Sequence, residues 1–163
     1  MVGKKQFEDI LADHGNMMAR IVASYEADPV LQQDMMQDVA LALWRALPSF
    51  KGESQLKTFI ARIAHNRSIS HVKKEINVPK PVEVDSNLEG GGQGPEGHLV
   101  EKQKVEKLIE KVRGMPLNLR PVATLALEGF GPAEIAETLG ISANNASVRL
   151  NRAKEWLKKE MAS

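Results

Sequence analysis

The chain has 163 residues, 42% of them hydrophobic and 26% charged, with no cysteine and a net charge of +1. This is the composition of a globular chain, long enough for one ordinary domain or two small ones. Disulfides, thiolate zinc sites, iron–sulfur clusters and a cysteine nucleophile are excluded, and no apolar run reaches the roughly 18 to 20 residues of a bilayer helix.

The start, Met1-Val2-Gly3-Lys4-Lys5, leads into an amphipathic segment without a signal-peptide apolar core, so a cytoplasmic location is expected. Taken whole, the charge does not advertise nucleic-acid binding. By segment, residues 1–80 carry 11 basic and 9 acidic groups, residues 81–100 carry none and 4, and residues 101–163 carry 11 and 8. Two mildly basic blocks therefore flank an acidic stretch.

In chain order, Phe7, Ile10, Leu11, His14, Met18, Ile21, Val22 and Tyr25 recur at helical spacing and predict a first helix with one apolar stripe. Asp28-Pro29 ends it. A second helix is expected from about Leu31 to Leu47, with Met36, Ala40, Leu43, Trp44 and Leu47 inward, stopping before Pro48. Its outer face carries Asp34, Asp38, Leu41 and Arg45, with Gln37 beside them. That face is either solvated or a protein-docking surface, because acidic and amide groups around an exposed leucine suit a protein better than anionic DNA.

After the loop from Ser49 to Glu53, a third helix capped by Ser54 is expected to bury Leu56, Phe59, Ile60, Ile63 and Ala64 and to be basic on its other side. Residues 78–98 then hold three prolines, five glycines and no basic group after Lys80. They read as a mobile linker. Helices are expected over Leu99 to Val112 and Leu119 to Leu127, with Pro121 tolerated only near the first turn.

The segment from Gly131 to Ser142 carries the marks of a helix-turn-helix. Pro132 sits at a first helical position, Ile135, Ala136 and Leu139 form a packing face, Gly140 supplies a left-handed cap, and Ser142 caps the next helix. From Ala143 to Met161, Ala146, Leu150, Ala153 and Leu157 form one stripe, which turns Asn145, Arg149 and Arg152 outward. Asparagine can pair with adenine and arginine with guanine or phosphate. From periodicity alone this is either a DNA reader or a helical hairpin with a solvated basic face. Strand alternation is absent, so the fold class is all-α.

Two stretches carry a family order. The run Asp34-Met35-Met36-Gln37-Asp38 through Trp44-Arg45-Ala46-Leu47-Pro48-Ser49-Phe50-Lys51-Gly52-Glu53-Ser54, continued by Leu56 to Arg67, resembles region 2 of bacterial RNA polymerase sigma factors of the extracytoplasmic-function (ECF) group in the sigma-70 family. Glu134-Ile135-Ala136 through Leu139-Gly140-Ile141-Ser142 to Val148-Arg149-Leu150-Asn151-Arg152-Ala153-Lys154 is similar to their region 4. The resemblance covers about residues 5–75 and 100–161 and rests on both motifs in order.

The resemblance implies two small helical domains: residues 1–76 as region 2, which binds core polymerase and opens the minus-10 element, and residues 100–163 as region 4, which reads the minus-35 element. A flexible linker, 77–99, joins them. It implies core-polymerase contacts at Asp34, Gln37, Asp38 and Leu41. Minus-10 contacts fall on Phe50, Lys51, Gly52, Glu53, Ser54, Lys57, Arg62, His65, Asn66 and Arg67. Minus-35 contacts fall on Ser142, Asn144, Asn145, Ser147, Val148, Arg149 and Arg152.

Implied partners are core RNA polymerase, promoter DNA and an anti-sigma protein, with no cofactor, no metal and no catalytic residue. The chain departs from the family at Asn144, Asn145, Ala146 and Ser147, so no promoter sequence carries over. Two other readings fit the same residues: a stand-alone helix-turn-helix regulator, and a polymerase or anti-sigma interaction adapter without promoter reading. The acidic linker also suggests passage through a basic channel as a nucleic-acid mimic.

Overall fold

The computed structural model describes residues 3–77 and 96–162, and side-chain surroundings for 3–74 and 103–162. The expected linker, 77–99, lies mostly outside the described residues, and with it the proposed passage through a basic channel. Within the described residues there are helices α1 (Lys4–Ala23), α2 (Pro29–Ala46), α3 (Leu56–Asn77), α4 (Glu96–Arg113), α5 (Arg120–Leu127), α6 (Pro132–Leu139) and α7 (Ala143–Ala162). Among the described residues a single 3-10 turn, Leu47–Ser49, follows α2, and no strand occurs.

Local chemistry sets the boundaries. Asp28 accepts from the Val30 backbone N–H at 2.9 Å while Pro29 takes the first helical turn, so α2 begins two residues earlier than expected. Gly140 closes α6 at φ +69, where a side chain would strain the backbone, and the Ile141 N–H returns to the Ala136 carbonyl at 3.1 Å. The Ser142 hydroxyl accepts from the Asn145 N–H at 3.0 Å, starting α7 where the sequence placed its cap.

Helices α1, α2 and α3 pack on one another, and α4 to α7 form the second block around the α6–α7 pair. Met18, Ile21, Val22, Val39, Leu43, Ile60, Ala61 and Ala64 are fully buried at the centre of the first block. Each large member contributes about 1.5–3 kcal/mol by leaving water.

Two inward assignments change. The buried row of α2 is Met35, Val39 and Leu43, continued by Leu47 beyond its end; Leu43 and Leu47 are inward as expected, whereas Met36 and Ala40 are only half-buried and Trp44 is 42% exposed with its ring edge-on to Phe7 at 5.1 Å. Met17, outside the predicted apolar stripe, is buried together with Met18. Helix α1 is covered by α2 and α3 and also by α4 and α5, so it has a wider apolar face than a helix at a domain edge.

That second cover belongs to a joint between the blocks. Val122, Leu125, Phe130, Ile135, Ala136 and Ala146 belong to the same apolar cluster as Met18 and Ile60. A smaller cluster of Val112, Met115, Leu119, Ala123 and Ala153 holds α4, α5 and α7 together.

Candidate nucleic-acid and polymerase interfaces

The outer face of α2 is the first site. Asp34, Gln37, Asp38 and Leu41 are all exposed, as their phase required. The structure adds two apolar neighbours: Val30, 66% exposed, and Trp44, with Leu41 at 47% between them. Positions 30, 34, 37, 41 and 44 advance by 4, 3, 4 and 3 residues, the spacing of a seam that receives another helix. Trp44 was missed because large aromatics default to the core; extending the spacing from Asp34 through Leu41 would have found it. Arg67 of α3 approaches Asp38 at 3.9 Å, a loose, exposed pair that leaves the acidic rim accessible.

The second site is the loop before α3 and the face of α3 that follows. Phe50 is half-buried and its ring lies 4.9 Å from that of Phe59. Phe59 is itself half-buried, so the pair anchors the loop base. Beyond it Lys51, Gly52 and Glu53 are exposed, and Gly52 has φ +76, a left-handed conformation that turns the loop outward. Ser54 is half-buried, and the carbonyl of Gln55, not that of Ser54, receives the Phe59 N–H at 3.1 Å.

Along α3 the expected DNA-facing residues divide into three groups. Asn66 and Arg67 are exposed. Lys57 and Arg62 point instead to α6: the Lys57 Nζ lies 2.9 Å from Glu134 Oε2 and 4.7 Å from the centre of the Phe130 ring, and an Arg62 Nη donates to the Glu137 carbonyl at 2.8 Å. The Lys57 partner, with the Gly131 N–H, holds the Glu134 carboxyl below the usual carboxylate range.

His65 is the third group. Its Nδ1 sits 3.0 Å from the Tyr25 hydroxyl, and burial pushes the imidazole from 6.5 down to about 4. Burial likewise raises the Tyr25 phenol. Position 65 is four residues after the buried Ala61, which carries it toward α1 rather than outward with Asn66.

The third site is the first half of α7. Ser142, Asn144, Val148 and Arg152 are exposed, and Asn145, Ser147 and Arg149 are half-buried along the same side. Arg149 Nε donates to Asn145 Oδ1 at 3.0 Å, one helical turn away, so two side chains capable of reading bases are held against each other. Ala146 and Ala153 are buried against the rest of the block, and their small size lets α7 lie close to its neighbours. Among the described residues no group of three or more histidines or acids is placed to hold a metal, and no helix is long and apolar enough to cross a membrane.

This arrangement is a known one. Residues 10–76 match Sigma-70 region 2, and residues 106–157 match Sigma-70, region 4. The ECF RNA polymerase sigma-E factor of Escherichia coli K12 is 26% identical over 162 residues, covering 93% of this chain and 84% of the relative. The RNA polymerase sigma factor NccH of Alcaligenes xylosoxydans xylosoxydans is 26% identical over 157 residues.

Among solved structures, CnrH in complex with the cytosolic domain of CnrY superposes with a TM-score of 0.71 at 20% identity, over 98% of this chain and 90% of that one. The sigma factor RpoE in complex with the anti-sigma factor NepR from Bartonella quintana gives 0.73 at 17%, over 97% and 98%. These two likenesses establish the shared fold. With both regions matched in order over most of its length, the chain belongs to the ECF group of the sigma-70 family and is a promoter-directing RNA polymerase sigma factor.

Proposed function

We propose a division of labour in which residues 1–76 dock core polymerase and open the minus-10 element, residues 77–99 connect, and residues 100–163 read the minus-35 element. The observation that carries it is the α2 stripe. Val30, Leu41 and Trp44 are exposed at a helix-docking spacing around Asp34, Gln37 and Asp38, and the edge-on contact with Phe7 still leaves Trp44 42% exposed on the same line as Leu41. An apolar seam with an acidic rim fits a helical partner with basic flanks and repels DNA.

At the loop, Lys51, Gly52 and Glu53 project beyond the anchored Phe50–Phe59 pair, where an unstacked base can be received and its phosphates met by Lys57, Arg62 and Arg67. His65, turned to Tyr25, supports that helix from behind rather than touching DNA. On α7, Asn144, Asn145, Arg149 and Arg152, with Ser142, Ser147 and Val148 around them, meet the major groove. Polymerisation belongs to the core enzyme and not to this chain, which works in the cytoplasm with no cofactor of its own. Complexes of similar folds with CnrY and NepR support an anti-sigma partner here as well.

The test compares two substitutions. Asp38→Arg is expected to weaken core-polymerase binding tenfold or more while leaving binding of minus-35 duplex DNA by the free chain unchanged. Arg149→Ala is expected to do the reverse, with a loss corresponding to about 1–3 kcal/mol. Indistinguishable binding profiles for the two variants would refute the division.

A further inference from the structure

Helix α7 carries an outward row of uncharged side chains, Asn144, Val148 and Asn151, all exposed. Positions 144, 148 and 151 advance by 4 and 3 residues, two turns that return to within about 20° of the starting direction. Asn151 is absent from the contacts that the family resemblance implies, yet it stands on the same line as two residues that are among them.

The neighbours of the row are engaged elsewhere. Asn145 and Arg149 are half-buried and bonded to each other at 3.0 Å, and Arg149 Nη1 reaches toward the Asn118 carbonyl at 3.5 Å. Neither the Asn144 nor the Asn151 amide has a bonding partner among the described residues, so each keeps donors and an acceptor for an outside group. Between them Val148 is 38% exposed. A lone exposed valine is ordinary on a protein surface, but this one lies between two unpaired amides on the face that a helix-turn-helix presents to the major groove.

The chemistry of the row selects among base pairs. A carboxamide pairs bidentately with adenine through N6 and N7, and an apolar branched side chain packs on the thymine C5 methyl. No arginine or lysine stands on the row, so the bidentate contact to guanine is missing from it. Seven residues of helix cover about 10.5 Å, or about three base steps of 3.4 Å. Arg152, exposed beside Asn151, supplies a cation for the backbone, and Glu155, exposed and next on the line, repels phosphate and ends the contact.

We infer that Asn151 is a base-reading residue of this chain, and that Asn144, Val148 and Asn151 together read consecutive A·T pairs with a thymine methyl seated on Val148. The inference rests on the assignment of α7 to upstream promoter DNA made above.

The test uses holoenzyme assembled from core polymerase and the full chain. It first selects binders from a pool of promoter-length duplexes of random sequence, and the enriched upstream block is expected to contain at least two consecutive A·T pairs. Each thymine of that block is then replaced by deoxyuridine, which deletes the methyl and keeps the pairing. One such replacement is expected to weaken binding threefold or more. Val148→Ala should weaken binding of the thymine duplex by a similar factor and make the same replacement silent. Asn151→Ala should lower the discrimination between A·T and G·C at one position at least fivefold. Both positions are exposed and alanine favours a helix, so both variants are expected to fold, as helical circular dichroism would verify.

An upstream block of G·C pairs alone, indifference to every deoxyuridine, a methyl effect that survives Val148→Ala, or an Asn151→Ala loss shared equally by all sequences overturns the inference while leaving α7 on DNA. If no upstream block is enriched at all, the assignment of α7 falls and the reading row falls with it.

Discussion

His65 illustrates how one side chain is decided by its neighbours. Its sequence context, beside Asn66 and Arg67 in a stretch expected to face DNA, gave no sign that it would bond to a tyrosine 40 positions earlier. Once there, burial holds the imidazole neutral, with its protonation moved from 6.5 to about 4. Between those values the unfolded chain binds a proton that the folded chain does not, so stability is complete above about pH 6.5 and falls as the pH drops toward 4. The shift corresponds to roughly 3 kcal/mol at most. Urea titrations at pH 7 and pH 4.5 should show the parent losing more stability on acidification than His65→Gln, by about 2 kcal/mol. Equal losses would mean the ring is solvated and proton-accessible in the folded state. Trp44 shows the opposite error: its size argued for the core, but a position one residue past the buried Leu43 lies about 100° around the helix, and phase prevailed over hydrophobicity.

Elements were far more legible than side-chain partners, because their boundaries depend on residues close in sequence. The turn between α6 and α7 was readable in full: Pro132 at the start, Gly140 in the left-handed region, Ser142 bonded to the Asn145 N–H. Each device needs only four or five consecutive residues. The start of α3 was less readable, since Ser54 and Gln55 both precede the apolar run and composition does not decide between them. From the observed geometry, Ser142→Ala should cost about 1 kcal/mol by removing the cap, and Gly140→Ala a similar amount by forcing a β-carbon into positive φ. Urea unfolding of each single variant would measure this. The two losses act through neighbouring turns, so the double variant is expected to deviate from additivity. A Gly140→Ala chain as stable as the parent would mean that the α6–α7 turn has another backbone conformation.

At the scale of the whole molecule, two blocks with separate family patterns share one continuous apolar cluster, and this is what the sequence could not disclose. The stripes of α1, α5 and α6 are each visible as periodicity. Which stripe meets which depends on contacts 90 or more positions apart, such as Arg20 with Glu128 and Arg113 with Ala23, for which no local signal exists. A shared cluster has a thermodynamic consequence: damage in one block should be felt in the other. Leu125 of α5 is 2% exposed and lies in the cluster that also contains Met18 and Ile60. Truncating it to alanine removes contacts that its surroundings replace only in part, a loss of about 2–5 kcal/mol. If the blocks are coupled, native-state hydrogen exchange of Leu125→Ala should lose protection at the central amides of α3 as well as those of α5 and α7, and urea unfolding should remain a single transition. If the blocks are independent, the loss stays within α4 to α7, a second transition separates, and the α3 amides keep their parental rates. Because opening by local separation exposes only the joint, raising salt should speed exchange at surface amides of α3 near Lys57 and Arg62 before it affects the centre around Ile60, which is sealed within the first block.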